Sequence, residues 1–193
     1  MSKRKLDEEP IRCEWLTNDA FYIKYHDEEW GRPIRDSQKL FEMICLEGQQ
    51  AGLSWRTILD KRENYRKAFH NFDPHRISQM TDKEVEKLSQ NNNIVRHKAK
   101  VNSIINNAKA YVSLEKEGHD FGEFIWSFVE GESIVNNWKS NSEIPTETSI
   151  SVDMAKSLKR KKFTFVGPKI CYAFMQACGL VNDHLVNCIA RNT

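Results

Sequence analysis

Between Asp36 and Ala177 the apolar residues return every three or four positions, and most runs open on a side chain able to cap a helix, so the chain is restricted to amphipathic helices. Asp36 precedes a run in which Leu40, Phe41, Ile44 and Cys45 share one face, predicting a helix that runs into Gly48. Ser54 precedes a second run through Trp55, Ile58, Leu59, Tyr65 and Phe69, and Thr81 with Glu84 has the pattern of a capping box ahead of Val85 and Leu88. Residues 96–117 form the longest stretch, with Val101, Ile104, Ile105, Ala108, Tyr111 and Val112 in register, and Asp120 opens a short helix through Phe124 and Phe128. Residues 138–148 read as a loop, and Ser151 or Asp153 starts a helix that ends in Lys159-Arg160-Lys161-Lys162. Phe165-Val166-Gly167-Pro168-Lys169 then leads into an apolar helix through Ala177. No strand pair is expected, and 8 Gly and 5 Pro serve a turn-rich β architecture poorly, so the expected class is all-α.

The 193 residues are enough for one sizeable core. Residues 1–10 are polar and charge-mixed and read as a mobile tail, leaving residues 11–193 as a single domain. No apolar run is long enough to span a bilayer, and none follows the basic residues at the start, so no membrane is expected and the setting is cytoplasmic. Five cysteines, an odd and irregularly spaced set, argue for metal binding or burial over a disulfide framework. A net charge of +2 leaves any nucleic-acid face to local clustering.

Three constellations carry chemistry. Gly167 can adopt positive φ and Pro168 suits a first helical position, so the segment between the last two helices has the form of a helix-hairpin-helix turn, which can aim backbone N–H groups at a DNA phosphate. An ordinary helical hairpin is the plain alternative. His184 and Cys188 stand four apart, which on a helix puts both on one face; with Cys13 and His26 they would make a closed Cys2His2 set suited to structural zinc that clips the two ends of the chain together. Packing alone is the competing account of these four. Trp15, Tyr22, Tyr25, Trp30 and Trp55 are concentrated around Glu47, and rings beside a carboxylate suit a flat cationic ligand, unless the rings are core and Glu47 lies at the surface.

These residues sit in longer motifs: Arg12-Cys13-x-Trp15, Tyr25-His26-Asp27-x-Glu29-Trp30-Gly31, Leu46 to Trp55, Phe72-Asp73-Pro74, Trp126-Ser127-Phe128, Phe165-Val166-Gly167 and Phe174 to His184. In this order they closely resemble the 3-methyladenine DNA glycosylase I family of the helix-hairpin-helix glycosylases. The resemblance implies zinc ligands at Cys13, His26, His184 and Cys188, a base-recognising acid at Glu47, a stacking ring at Trp55, and an aromatic pocket completed by Tyr22, Tyr25, Trp15 and Trp30. In Val181-Asn182-Asp183-His184, the place of the superfamily's catalytic aspartate falls on Asn182, as this family leads one to expect, and Asp183 reads as a local hydrogen-bonding or capping residue.

The implied function is monofunctional excision of N3-methylated adenine, flipped out of alkylated double-stranded DNA, by a monomer. Leu53 in the Gly52-Leu53-Ser54 turn is a wedge for the vacated stack, or else a core leucine. Lys169 stands where bifunctional relatives keep a Schiff-base lysine, but reads better as a phosphate contact. The rival readings are a glycosylase with lyase activity through Lys169 and a non-catalytic binder of alkylated DNA.

Overall fold

The computed structural model describes residues 10–192; the tail expected over residues 1–10 lies outside that range except for Pro10. The described chain is mostly helical, with nine helices: α1 (Ala20–Glu28), α2 (Ser37–Gln50), α3 (Trp55–Ala68), α4 (Pro74–Ser78), α5 (Asp82–Ser89), α6 (Lys98–Lys116), α7 (Phe121–Trp126), α8 (Ser149–Arg160) and α9 (Pro168–Ala177).

Local chemistry explains their starts. Asp36 accepts from the Lys39 N–H, Ser54 from Thr57 and Asp120 from Glu123, each satisfying an otherwise orphaned donor. Thr81 and Glu84 form the reciprocal capping box. α8 begins two residues before Ser151, because Thr148 and Ser151 bond to one another's backbone N–H and so make Thr148 the cap. α2 continues past Gly48 to Gln50. Gly48 is kept inside that helix by a close neighbour: a Cβ on it would come 3.1 Å from Phe165 Cβ and 3.2 Å from the Phe165 carbonyl oxygen.

α2 is the central element. Ten of its residues are buried, from Leu40 to Gln49, and α3, α6, α7 and α9 pack around it. A helix enclosed on all sides buries even its polar positions, which is why Glu42, Glu47 and Gln49 are inside. α8 packs on α9 across the connection of residues 161–167.

Three local expectations are corrected. A two-residue parallel pairing joins Ile134–Val135 (β1) to Val181–Asn182 (β2), too short to leave a periodic signature. Residues 184–188 are not a helix: the Asn182 side chain bonds the His184 N–H, Val186 N–H donates to the Trp138 carbonyl and Cys188 N–H to Leu185, so local bonds replace the helical ladder. Gly167 has φ −70°, and the left-handed residues of the α8–α9 connection are Lys162 and Phe165. The reversal is therefore made before Gly167, which serves as the extended N-cap of α9.

Among the described residues no helix is long and apolar enough to cross a membrane. All five cysteines are buried free thiols.

Candidate active site

The side of α2 that carries Glu47 faces a cavity of about 240 Å3. Its walls are Trp15, Tyr22, Tyr25 and Trp30 from the first 30 residues, Glu47 and Gln50 from α2, Trp55 at the start of α3, Asn141 and Ile144 from the loop before α8, and Ala173 and Gln176 from α9. The six residues expected to form a pocket are thus brought together, and Glu47, only 2% exposed, is not a surface residue.

The rings are interlocked. Tyr22 stacks on Tyr25 at 6.2 Å and 13°, Trp15 meets Trp30 edge-on at 5.1 Å, and Tyr25 lies 5.9 Å from Trp55. Inside them Glu47 Oε2 is sealed from solvent with no hydrogen-bond partner among the described residues, and burial pushes the carboxyl pKa up to about 8. Burial, with Glu47 beside it, holds the Tyr25 phenol well above its ordinary value. The Tyr25 hydroxyl and the Trp55 indole N–H are close neighbours, yet neither makes a hydrogen bond of good geometry. A cavity lined by rings with an unsatisfied acid in its wall is built for a flat ligand that brings positive charge or donors.

Behind the Trp15–Trp30 wall lies a second cluster. The donor atoms of Cys13, His26 and Cys188 lie within 4.8 Å of one another, all three residues are buried, and together they could hold a metal ion. His184 is adjacent, its ring 4.9 Å from that of His26, with a buried Nε2 that has no hydrogen-bond partner among the described residues; its donor atom stands outside the group of three. Both histidines are oriented from behind. His26 Nδ1 is 2.7 Å from Asp27 Oδ1, and His184 Nδ1 is 3.0 Å from Asn182 Oδ1, which leaves each Nε2 facing inward. Asp27 is held in turn by Arg12, whose guanidinium keeps its carboxyl below the usual range. Cys188 Sγ is 3.5 Å from His26 Nε2, and its hydrogen bond with Cys13 lowers its pKa, so two sulfurs and an imidazole nitrogen converge on one point. This donor set, with an orphaned imidazole nitrogen beside it, fits a divalent metal that takes sulfur and nitrogen ligands. Trp15 and Trp30 contact the ring of His26, and Trp30 that of His184, so the cluster braces the cavity wall.

A family model described as methyladenine glycosylase matches residues 15–192. The chain belongs to that family. It is 56% identical over 177 residues to DNA-3-methyladenine glycosylase 1 of Escherichia coli K12, covering 92% of this chain and 95% of the relative, and 54% identical over 182 residues to DNA-3-methyladenine glycosylase of Haemophilus influenzae, covering 94% and 98%. A crystal structure of a 3-methyladenine DNA glycosylase I superposes with a TM-score of 0.92 at 56% identity, covering 93% of this chain and 98% of that one. The Staphylococcus aureus enzyme, solved to explain 3-methyladenine recognition, gives 0.91 at 38% identity, covering 94% and 96%.

In this methyladenine glycosylase the remaining expected residues are not among those that line the cavity. Leu53 is 42% exposed on the α2–α3 turn, which rules out a core role. Gly167 and Lys169 lie at the start of α9, where Pro168 occupies the first turn, no side chain caps the helix, and a Cβ at Gly167 would meet nothing within 4 Å. Lys169 is exposed and is not part of the cavity wall. The Gly48–Phe165 contact places the connection leading to Gly167 one residue from Glu47.

Asp183 is fully buried and accepts from Asn136, Trp138, Tyr172 and Gln176; it is a structural acceptor that holds Gln176 in the cavity wall. Asn182 is occupied in orienting His184. Gln50, Asn141, Ile144, Ala173 and Gln176 escaped the sequence reading. Gln50, three after Glu47, and the Ala173/Gln176 pair, also three apart, share helix faces that could have been read; Asn141 and Ile144 carry no such signal.

Proposed function

We propose that this protein hydrolyses the glycosidic bond of N3-methylated adenine flipped out of double-stranded DNA, acting as a monomer and without a lyase step. The observation that carries the reading is Glu47: a buried acid with an unpartnered oxygen in a ring-lined cavity. A relative 37% identical to this chain has been solved in complex with 3-methyladenine, which supports the choice of base.

Alkylation at N3 makes the base a cation. Leaving Glu47 ionised and unpaired in the empty cavity is costly, and a cationic purine supplies the missing counter-charge, whereas ordinary adenine does not. Trp55 and Tyr25 add stacking and cation–π attraction of roughly 0.5–2 kcal/mol per good contact. The C1′–N9 bond breaks with its electrons passing to the base, which leaves neutral; water adds to the oxocarbenium-like sugar and gives up a proton to solvent. Because the leaving base needs no added proton, Glu47 selects and stabilises charge rather than acting as an acid.

Leu53 enters the vacated stack, and the uncapped start of α9 with Lys169 holds a phosphate, completing a helix-hairpin-helix contact to the backbone. An exposed Lys169 outside the cavity wall favours phosphate binding over Schiff-base chemistry. Zn2+ is held by Cys13, His26 and Cys188 with His184 as the fourth ligand, and its role is structural, to tie the chain ends behind the aromatic wall.

The test is base release from methylated duplex DNA with the product identified by mass. The wild-type protein is expected to free 3-methyladenine, and Glu47→Ala to lose most of that activity while keeping its fold and metal; equal single-turnover rates would remove Glu47 from the site.

A further inference from the structure

Lys100, at the start of α6, is only 6% exposed and has no carboxylate within ion-pair distance among the described residues. Burying an ammonium without a counter-ion is destabilising, and an apolar residue of similar length would fill the same space without that penalty. Its Nζ instead donates to two backbone carbonyls at the end of α2, Gln49 O at 2.8 Å and Ala51 O at 2.6 Å. α2 has no basic residue in its own last turn, so a lysine from another helix supplies the cation that its carbonyl end attracts.

The tie is reciprocal. Gln49 Nε2 donates to the Lys100 carbonyl at 3.0 Å, its Oε1 accepts from the Tyr65 hydroxyl, and Tyr65 receives the Val95 N–H, so α2, α3 and α6 are joined in one buried network. What the network holds is specific. The two carbonyls flank Gln50, which lines the cavity, and the Gln50 carbonyl accepts the Leu53 N–H at 2.6 Å. Gly52 follows with φ +76°, Leu53 projects to solvent, and Ser54 caps the helix that begins at Trp55.

We infer that Lys100 is a positioning residue for excision: by clamping the carbonyls on either side of Gln50 it sets the turn that presents Leu53 to the DNA stack. This rests on the wedge role proposed for Leu53. Lys100 Nζ bonds two backbone carbonyls and is not part of the cavity wall, so the effect passes through backbone geometry.

The experiment compares wild type, Lys100→Met, Leu53→Ala and the double variant in 3-methyladenine release from methylated duplex and methylated single-stranded DNA, with binding of free 3-methyladenine measured alongside. Lys100→Met is expected to lower kcat/KM on duplex roughly tenfold or more, to lose less on single strands, and to bind the free base as wild type does. Combined with Leu53→Ala it should lose little more than Leu53→Ala alone, because both changes disable one device. Full duplex activity of Lys100→Met, equal losses on duplex and single strands, or losses that multiply in the double variant would overturn the inference. A fully active Leu53→Ala would sink the wedge reading by itself. If Lys100→Met is unfolded at the assay temperature, Lys100→Gln, which keeps a neutral donor, takes its place; if that too is unfolded, Lys100 serves stability only and the inference fails.

Discussion

Gly31 lies directly against His184: a Cβ built on Gly31 would fall 2.8 Å from His184 Cε1 and 3.0 Å from Nδ1. The residue has φ +75°, so both its conformation and its surroundings require glycine. Gly31 also donates its N–H to the Gln176 carbonyl, which makes this the point where the chain after α1, the end of α9 and the proposed metal cluster meet.

Gly31→Ala should therefore strain the backbone and push the imidazole of His184 out of place. We expect a loss of about 1–3 kcal/mol, read as thermal unfolding several degrees below wild type, together with weaker metal retention. An unchanged melting temperature would show that the contact can relax freely.

Glu47 links stability and activity to pH with a defined sign. Its carboxyl keeps a proton up to about pH 8 in the folded chain but titrates near 4.5 when exposed, so between those values the folded state binds the extra proton. Stability contributed by that proton is fully present below pH 4.5 and is lost as pH rises through 8, by an amount on the order of a few kcal/mol. Glu47→Gln should flatten the dependence and be the more stable protein at pH 8, as urea unfolding across this range would reveal. In the wild type, kcat/KM for a cationic base should rise toward pH 8 as the free enzyme's acid ionises, and a flat profile would contradict a role for its charge.

Metal content provides a separate check on the cluster of Cys13, His26 and Cys188. Purified protein should carry about one zinc per chain, and Cys188→Ser should reduce it while lowering the unfolding temperature. His184→Ala tests the fourth position: retained stoichiometry with weaker affinity is expected, and full occupancy in Cys188→Ser would dismiss the assignment.

Lys169→Ala should weaken DNA binding evenly across sequences and reduce the slope of log K against log salt by about one. Borohydride treatment on abasic DNA should give no covalent product with either form, since the lysine lies outside the cavity wall. A trapped adduct in the wild type that vanishes in the variant would establish the lyase reading.

The sequence by itself determined four helix starts, because what starts a helix is local: Asp36, Ser54, Thr81 and Asp120 each cap the run that follows them, within three residues of the donor they satisfy, whereas α1 and α4 were not legible in it. The rings and the acid that line the cavity, and the buried Cys13, His26 and Cys188 that gather behind it, were also legible in the motifs by type and order. Tertiary structure alone decided the rest. The pairing of residues 134–135 with 181–182, the irregular path from His184 to Cys188, and the transfer of the left-handed step from Gly167 to Phe165 all depend on partners distant in the chain. So do the entry of Asn141 and Ile144 into the cavity and the clamp of Lys100 on α2. Capping and periodicity act over one or two turns, whereas burial, orphaned polar atoms and shared hydrogen bonds arise only when separate elements are pressed together.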